Sequence, residues 1–489
     1  HVCSSPGCCR RFHGSVIINI KSPVCIMSWL LRRLNEPLLA LGAAQFALGM
    51  LQTTFMFYYV KVYLNVFKID DFWFTMAQGL FLVWNAINDP LFGYWQDSAS
   101  SWMNSRRLVL RYFAPCIGFS FILLWRRAPY EQGVHLIIAL FLYDAFFSAI
   151  GVAWSAMFAE IEGGVRGRAA AMKYSQIASL LSVNVIAVAE KVSHSLENFS
   201  AFQWMSVCLA VVAVSFLLYA SWVDCSSHFL PTSSSSSQLK ERLLDDDVKR
   251  GKEEPMSLRT IKDVLSRRDF FAIVVTNFIH NARSVCHINF ASIMTELLIP
   301  QTILPKGSLA LSLFYGVCTL LPQLLVIAAE QVVVRRGAHR LAQDSFVLTV
   351  IGAAGCFLLG SSPWVVMIFM LLDSVAVHAS SPLFNILFSE FIEDDCSRNV
   401  RRKPISSLVF GLNALFVKPA QSIGPLLVVW FLNRHGYEAY KQHSLTSTDL
   451  VESARLILFL PPLFLAACQY IAFTSYSLGE RNRRATVVL

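Results

Sequence analysis

Apolar residues run in blocks of about 20, separated by short polar and basic segments, and the blocks lack the strict alternation of a strand buried on one face. Each block is long enough to cross a hydrocarbon layer as a helix. Twelve spans are predicted, at 38–60, 72–96, 107–125, 132–158, 168–190, 202–223, 269–298, 308–330, 341–360, 363–389, 404–432 and 453–477. Between the sixth and seventh lies a polar stretch, 224–268, with Ser233 to Ser237 in a row and the acidic run Asp245-Asp246-Asp247. It reads as a flexible cytoplasmic linker that divides six spans from six. The predicted organisation is an N-terminal segment over 1–33, a six-helix bundle over 34–223, the linker 224–268, a second bundle over 269–478 and a tail over 479–489. Met27 is the expected natural start, with residues 1–26 translated from upstream sequence.

Composition narrows the class. Apolar residues make up 55% of the 489 positions and charged residues only 15%, a balance suited to a polytopic membrane protein. Lipid offers the backbone no partner, so the chain must satisfy its peptide groups internally, and runs of helical length point to an all-α protein rather than a barrel. The formal charge of +9 sits largely in short loops. About 27 Lys and Arg fall on one side of the predicted topology against about 8 on the other, which puts both termini in the cytoplasm and makes nucleic acid an unneeded partner. Arg126-Arg127 is the exception. The single N-x-S/T sequon, at Asn198, falls in a loop this topology places outside, where it is a glycosylation candidate. Twelve scattered cysteines with no C-x-x-C pair give neither a disulfide framework nor a zinc site.

Charge inside the spans carries the candidate chemistry. A charged side chain at a helix centre costs roughly 2.5–3.5 kcal/mol on insertion scales, so each needs a partner or a wet cavity. In the second span Asn85, Asp89, Gly93 and Gln96 share one helical stripe, Asn88 lies beside Asp89, and Pro90 leaves the carbonyl of Ala86 without its donor. That is an oxygen-rich place for a coupling ion, Na+ or H+; the alternative is an acid that only packs helices. In the fourth span Asp144, Ser148, Gly151 and Ser155 form a narrow polar track or, equally, a small-residue packing face. His280, Arg283, Ser284 and His287 share a face of the seventh span. No acid stands at the spacing that would complete a metal site, so they read as a polar cavity lining. Lys418 lies deep in the eleventh span, where its cheapest partner is an intramembrane acid: Asp89 first, Asp144 or Asp373 otherwise. The halves echo each other, with Leu142-Tyr143-Asp144 and Phe158-Ala159-Glu160 in span four against Leu371-Leu372-Asp373 and Phe388-Ser389-Glu390 in span ten. Internal symmetry of this kind marks secondary transporters.

These residues carry a resemblance. Over residues 34–478 the chain resembles the glycoside-pentoside-hexuronide:cation symporter branch of the major facilitator superfamily, typified by melibiose permease. Asn88-Asp89-Pro90-Leu91-Phe92-Gly93, Cys286-His287-Ile288-Asn289-Phe290 and Lys418-Pro419-Ala420-Gln421 are similar to the animal orphan family of transmembrane protein 180. The resemblance implies a major facilitator fold in the plasma membrane, with cation or proton binding at Asp89, Asn88 and Asn85 beside Lys418. It also implies a solute pocket at Gln45, Gln176 and Asp144, to which the charged Arg283 and Asp373 are added. Asn85 stands where the permease has the first acid of its cation site, which favours a proton over sodium; Gln45 and Gln176 replace charged sugar-binding groups. The expected activity is cation- or proton-coupled symport of a small, sugar-like organic solute, with membrane lipid and the solute as partners and no cofactor beyond the coupling ion. A non-transporting receptor or scaffold and a lysolipid carrier are the alternatives. An enzyme is not expected, since neither His-Glu-x-x-His nor Gly-x-Ser-x-Gly occurs.

Overall fold

The computed structural model describes residues 35–98, 100–128, 131–193, 196–223, 258–305, 308–360, 362–399, 401, 403–437, 440 and 447–479. The expected N-terminal segment, the linker as far as residue 257 and the tail from 480 lie outside the described residues. The apolar blocks are helices throughout. In order they are α1 (Glu36–Lys61, prolonged by a π-helical turn, Val62–Val66), α2 (Asp71–Asp97), α3 (Arg106–Leu124), α4 (Gln132–Ala159), α5 (Gly164–Ser182), α6 (Val185–Ser193), α7 (Phe199–Trp222) and α8 (Leu258–Leu265). They continue with α9 (Arg268–Leu298), α10 (Leu309–Ala328), α11 (Glu330–Arg336), α12 (Ala338–Leu359), α13 (Pro363–Arg398), α14 (Ser406–Arg434) and α15 (Thr448–Phe473). Among the described residues no strand occurs.

Two elements depart from the sequence pattern. The fifth span, expected as one helix, breaks between α5 and α6, where the Asn184 side chain donates to the carbonyls of Leu180 and Leu181 at 3.0 and 3.3 Å. An amide side chain that takes carbonyls meant for the next backbone donors interrupts the ladder. The described end of the expected linker, from Leu258, is the short helix α8 rather than flexible chain.

Nine helical segments among the described residues are long and apolar enough to cross a membrane. Three other long helices, α2, α9 and α14, carry Asp89, Arg283 and Lys418. They also pack together, α14 lying between α2 and α9. Asp89 and Lys418 face one another across the α2–α14 contact, and Asn277 and Asn281 of α9 face Asn413 and Gln421 of α14, whereas Arg283 turns away to Asp373. Contact between the first six spans and the last six runs chiefly through α2 on α14, with α5 on α10 and α4 on α13 and α14. Gly93 and Gly411 allow the α2–α14 approach: a Cβ on Gly93 would stand 2.5 Å from the carbonyl oxygen of Ser407, and one on Gly411 would stand 2.6 Å from that of Asp89.

Ion pairs collect at one end of the helices, the end with the basic loops. Arg106 bonds Asp97 at 2.5 Å and Glu160 at 3.1 Å, while the second Asp97 oxygen accepts the Leu408 backbone N–H at 2.7 Å. An acid on α2 thus caps the first turn of α14, where free N–H groups favour negative charge. Arg168–Glu393 at 2.7 Å, Lys173–Glu330 at 2.9 Å and Lys403–Asn104 at 2.9 Å add three more ties between the halves. Arg267 pairs with Asp394 and Asp395 on α13.

Candidate functional site

At the middle of α2 the predicted stripe is the face laid against α14. Lys418 reaches across from α14, and its Nζ lies 2.8 Å from Asp89 Oδ2. The same ammonium donates to Asn85 Oδ1 at 2.5 Å, the Asn85 carbonyl at 2.8 Å and Asn88 Oδ1 at 3.3 Å. Of the three acids considered as partners for this lysine, the ion pair is with Asp89. The carbonyl recruited is that of Asn85, one residue before the Ala86 oxygen freed by Pro90. Farther along the stripe, Gln96 donates to the Ala149 carbonyl at 2.7 Å and accepts from Ser407 Oγ at 3.2 Å. The oxygen cradle expected for a coupling ion thus surrounds the protein's own ammonium group.

Asn88 is fully buried and used from both ends: its Oδ1 faces Lys418 and its Nδ2 donates to Asp144 Oδ2 on α4. Tyr143, the neighbour of Asp144, donates to Gln52 of α1 at 3.5 Å. The polar track predicted on the fourth span therefore begins at a carboxylate joined to the Lys418 centre through one amide.

Gln45 and Gln176 come together across a cavity of about 350 Å³ between the halves, also lined by Trp154, Asn277, Asn281, Asn385, Asn413, Gln421 and Lys418. Gln45 donates to Ser179 at 3.0 Å, and Asn277 donates to Asn413 at 3.1 Å. Amides donate and accept at once, Trp154 offers a ring, and Lys418 places one charge at the wall. Sequence reasoning missed Trp154 and the asparagines of α9, α13 and α14. The signal was available, since Asn277 and Asn281 stand four apart in a helix that must otherwise be oily.

Arg283 and Asp373 do not line that cavity. They belong to a second centre inside the C-terminal six spans, where Arg283 donates to Asp373 Oδ1 at 2.9 Å, Gln469 at 2.7 Å and Thr349 at 3.2 Å, and His287 Nδ1 donates to Asp373 Oδ2 at 2.9 Å. The acid that the seventh span lacked is supplied by α13. His280, expected on the same polar face, packs on Phe384 instead, ring centroids 5.0 Å apart. Arg283, His287 and Asp373 line one part of an otherwise apolar cavity of about 590 Å³ walled by Phe290, Met294, Trp430 and other apolar residues of α9, α14 and α15. Asn198 is exposed at the start of α7, where its side-chain oxygen accepts the Ala201 N–H at 3.1 Å.

Comparison with known proteins agrees with this architecture. Transmembrane protein 180 of Gallus gallus is 24% identical over 480 residues, covering 90% of this chain and 92% of that protein, and that of Mus musculus is 23% identical over 438 residues, covering 84% and 82%. Among solved structures, a bacterial homologue of the iron transporter ferroportin in an outward-facing state superposes with a TM-score of 0.59 at 14% identity, over 91% of this chain and 99% of its own. The major facilitator transporter FucP, in an outward conformation, gives 0.57 at 12%, over 88% and 98%. The proton:xylose symporter XylE gives 0.53 at 14%, over 88% and 94%. At such identities the structures speak for the fold, that of major facilitator transporters, which are not enzymes. The family model described as MFS/sugar transport protein matches residues 40–480, nearly the whole of the described helices, and the chain belongs to that family of multi-pass membrane transporters.

Proposed function

We infer that the protein is a secondary active transporter that moves a small polyhydroxylated solute through the cavity between its halves by alternating access, coupled to protons. The observation that carries this reading is the amide-rich wall of that cavity, with Trp154 in it and Lys418 at its edge. Hydroxyl groups both donate and accept, and clustered amides answer both needs without charge. Sodium is the weaker coupling ion because the Lys418 ammonium already takes the oxygens of Asn85, Asn88 and Asp89. A proton suffices: one charge moved through about 100 mV is worth about 2.3 kcal/mol, or roughly a 50-fold solute gradient. The basic end faces the cytoplasm of the plasma membrane on this reading, and the ties at Asp97, Arg168, Lys173 and Lys403 hold the carrier closed on that side.

The test is uptake of labelled sugars and polyols into proteoliposomes under an imposed pH gradient, with a known symporter as control. Accumulation that collapses with a protonophore is the expected result. No flux of any solute, while the control works, would leave the scaffold reading. The apolar cavity beside Arg283 favours a second reading, carriage of an amphipathic solute such as a lysolipid. Lysolipid uptake that survives Gln45→Ala and Asn281→Ala but is lost on filling the cavity with Ala291→Trp would select it.

A further inference from the structure

Equivalent spans of the two halves each bury an aspartate to a similar degree, Asp144 on α4 at 7% exposed and Asp373 on α13 at 6%. Their charge balance differs. Asp373 has a guanidinium on one oxygen and an imidazole on the other. Asp144 has the neutral amide of Asn88, and among the described residues no ion pair reaches it. The helices packed on α4 are α1, which meets it at Leu41, Gln52 and Phe55, and α2, α3, α5, α13 and α14. The charged groups that they turn toward Asp144 are Asp89 of α2 and Lys418 of α14, while Tyr143 stands beside it on α4. The basic residues of α1, α3 and α5 are engaged elsewhere or exposed: Lys61 lies over the Phe57 ring, Arg106 bonds Asp97 and Glu160, Arg107 the carbonyls of Ser221 and Trp222, Arg168 Glu393 and Lys173 Glu330, while Arg111 and Arg166 are exposed. On α13, Asp373 is held by Arg283 and His287, and Glu390 accepts from Tyr476. Two carboxylates therefore share one ammonium, and that ammonium is 2.8 Å from Asp89.

We propose that Asp144 is the proton-binding carboxylate of this centre, with Asp89 serving as the fixed partner of Lys418. Buried carboxylates that share too little positive charge do not both ionise. The proton sits on the one without a cation. When Asp144 releases it to solvent, two negative groups of the N-terminal half pull on a single lysine of the C-terminal half, and Asn88, bonded to both Asp144 and Lys418, transmits the pull. Deprotonation tightens the halves at this level and protonation loosens them. The place of that step in a transport cycle rests on the function proposed above; the assignment of the proton to Asp144 does not.

Infrared difference spectroscopy of the purified full chain, titrated with buffer alone, reads the proton directly and needs no solute. The wild type is expected to have a carboxylic C=O band that shifts in D2O and disappears as pH rises. Asp144→Asn removes that band. Asp89→Asn keeps it and moves its midpoint to lower pH, because Lys418 then turns to Asp144; Lys418→Met moves it to higher pH. Should Asp144→Asn fail to fold, Asp144→Glu retains the band with a displaced frequency. A band that survives Asp144→Asn, that vanishes in Asp89→Asn at every pH, or that is missing from the wild type overturns the proposal. Titration at Asp144 without flux of any solute would remove the transport reading and leave this assignment standing, whereas proton-driven flux retained in Asp144→Asn would do the reverse.

Discussion

The centres around Asp373 and around Asp144 are built on corresponding helices, and they solve the problem of a buried acid in opposite ways. The first is closed: Arg283 and His287 satisfy both oxygens, and Gln469 and Thr349 take up further guanidinium donors from within the same half. The second is open, since its lysine comes from the other half and must serve two acids. A closed centre contributes to one half as a folded unit. An open one is sensitive to how the halves sit against each other, which is where a carrier needs its chemistry.

The largest effect should come from breaking the closed centre. Arg283→Met leaves Asp373 buried without its main cation and is expected to cost about 3–5 kcal/mol, seen as a lowered thermal midpoint in detergent. The double variant Arg283→Met with Asp373→Leu should recover most of that loss. A full loss in the double variant would mean that Arg283 acts by packing alone, and the contrast between the centres would weaken. Next in size is the backbone approach that lets Lys418 reach α2: Gly411→Ala forces a methyl against the Asp89 carbonyl and should cost about 1–3 kcal/mol.

A smaller loss, about 1 kcal/mol, is expected from Asp97→Ala, which removes the cross-half cap on the Leu408 N–H while Arg106 keeps Glu160. Protease sensitivity of the loop between α13 and α14 should rise with it, since the tie lies next to that loop. At the small end, Gln45→Ala and Asn281→Ala line a cavity and pack little, so midpoints should stay within about 0.5 kcal/mol of wild type while solute affinity falls. Equal losses of stability and affinity there would make the amide wall structural.

Much of this could be read along the chain because helix periodicity and apolar run length are local properties. The twelve predicted spans fall on helices, and Asn85, Asp89, Gly93 and Gln96 do share the face that meets α14. Asn184 was overlooked for the same reason in reverse: its effect depends on which carbonyls its amide can reach, and run length is blind to that. Gln45 and Gln176 were marked by resemblance, whereas Trp154 and Asn385 looked like ordinary residues of apolar helices until the cavity placed them together.

The sequence by itself determined a membrane-spanning all-α chain, the positions of its spans and the set of polar groups too costly to leave in lipid. It did not determine their partners. Lys418 meets Asn85 from 333 positions away, and the acid missing from the seventh span arrives on α13, 86 residues beyond His287. Desolvation obliges each buried charge to find a counterpart but does not say which. That choice belongs to helix packing, where two glycines bring α2 and α14 into backbone contact and leave one ammonium between two acids.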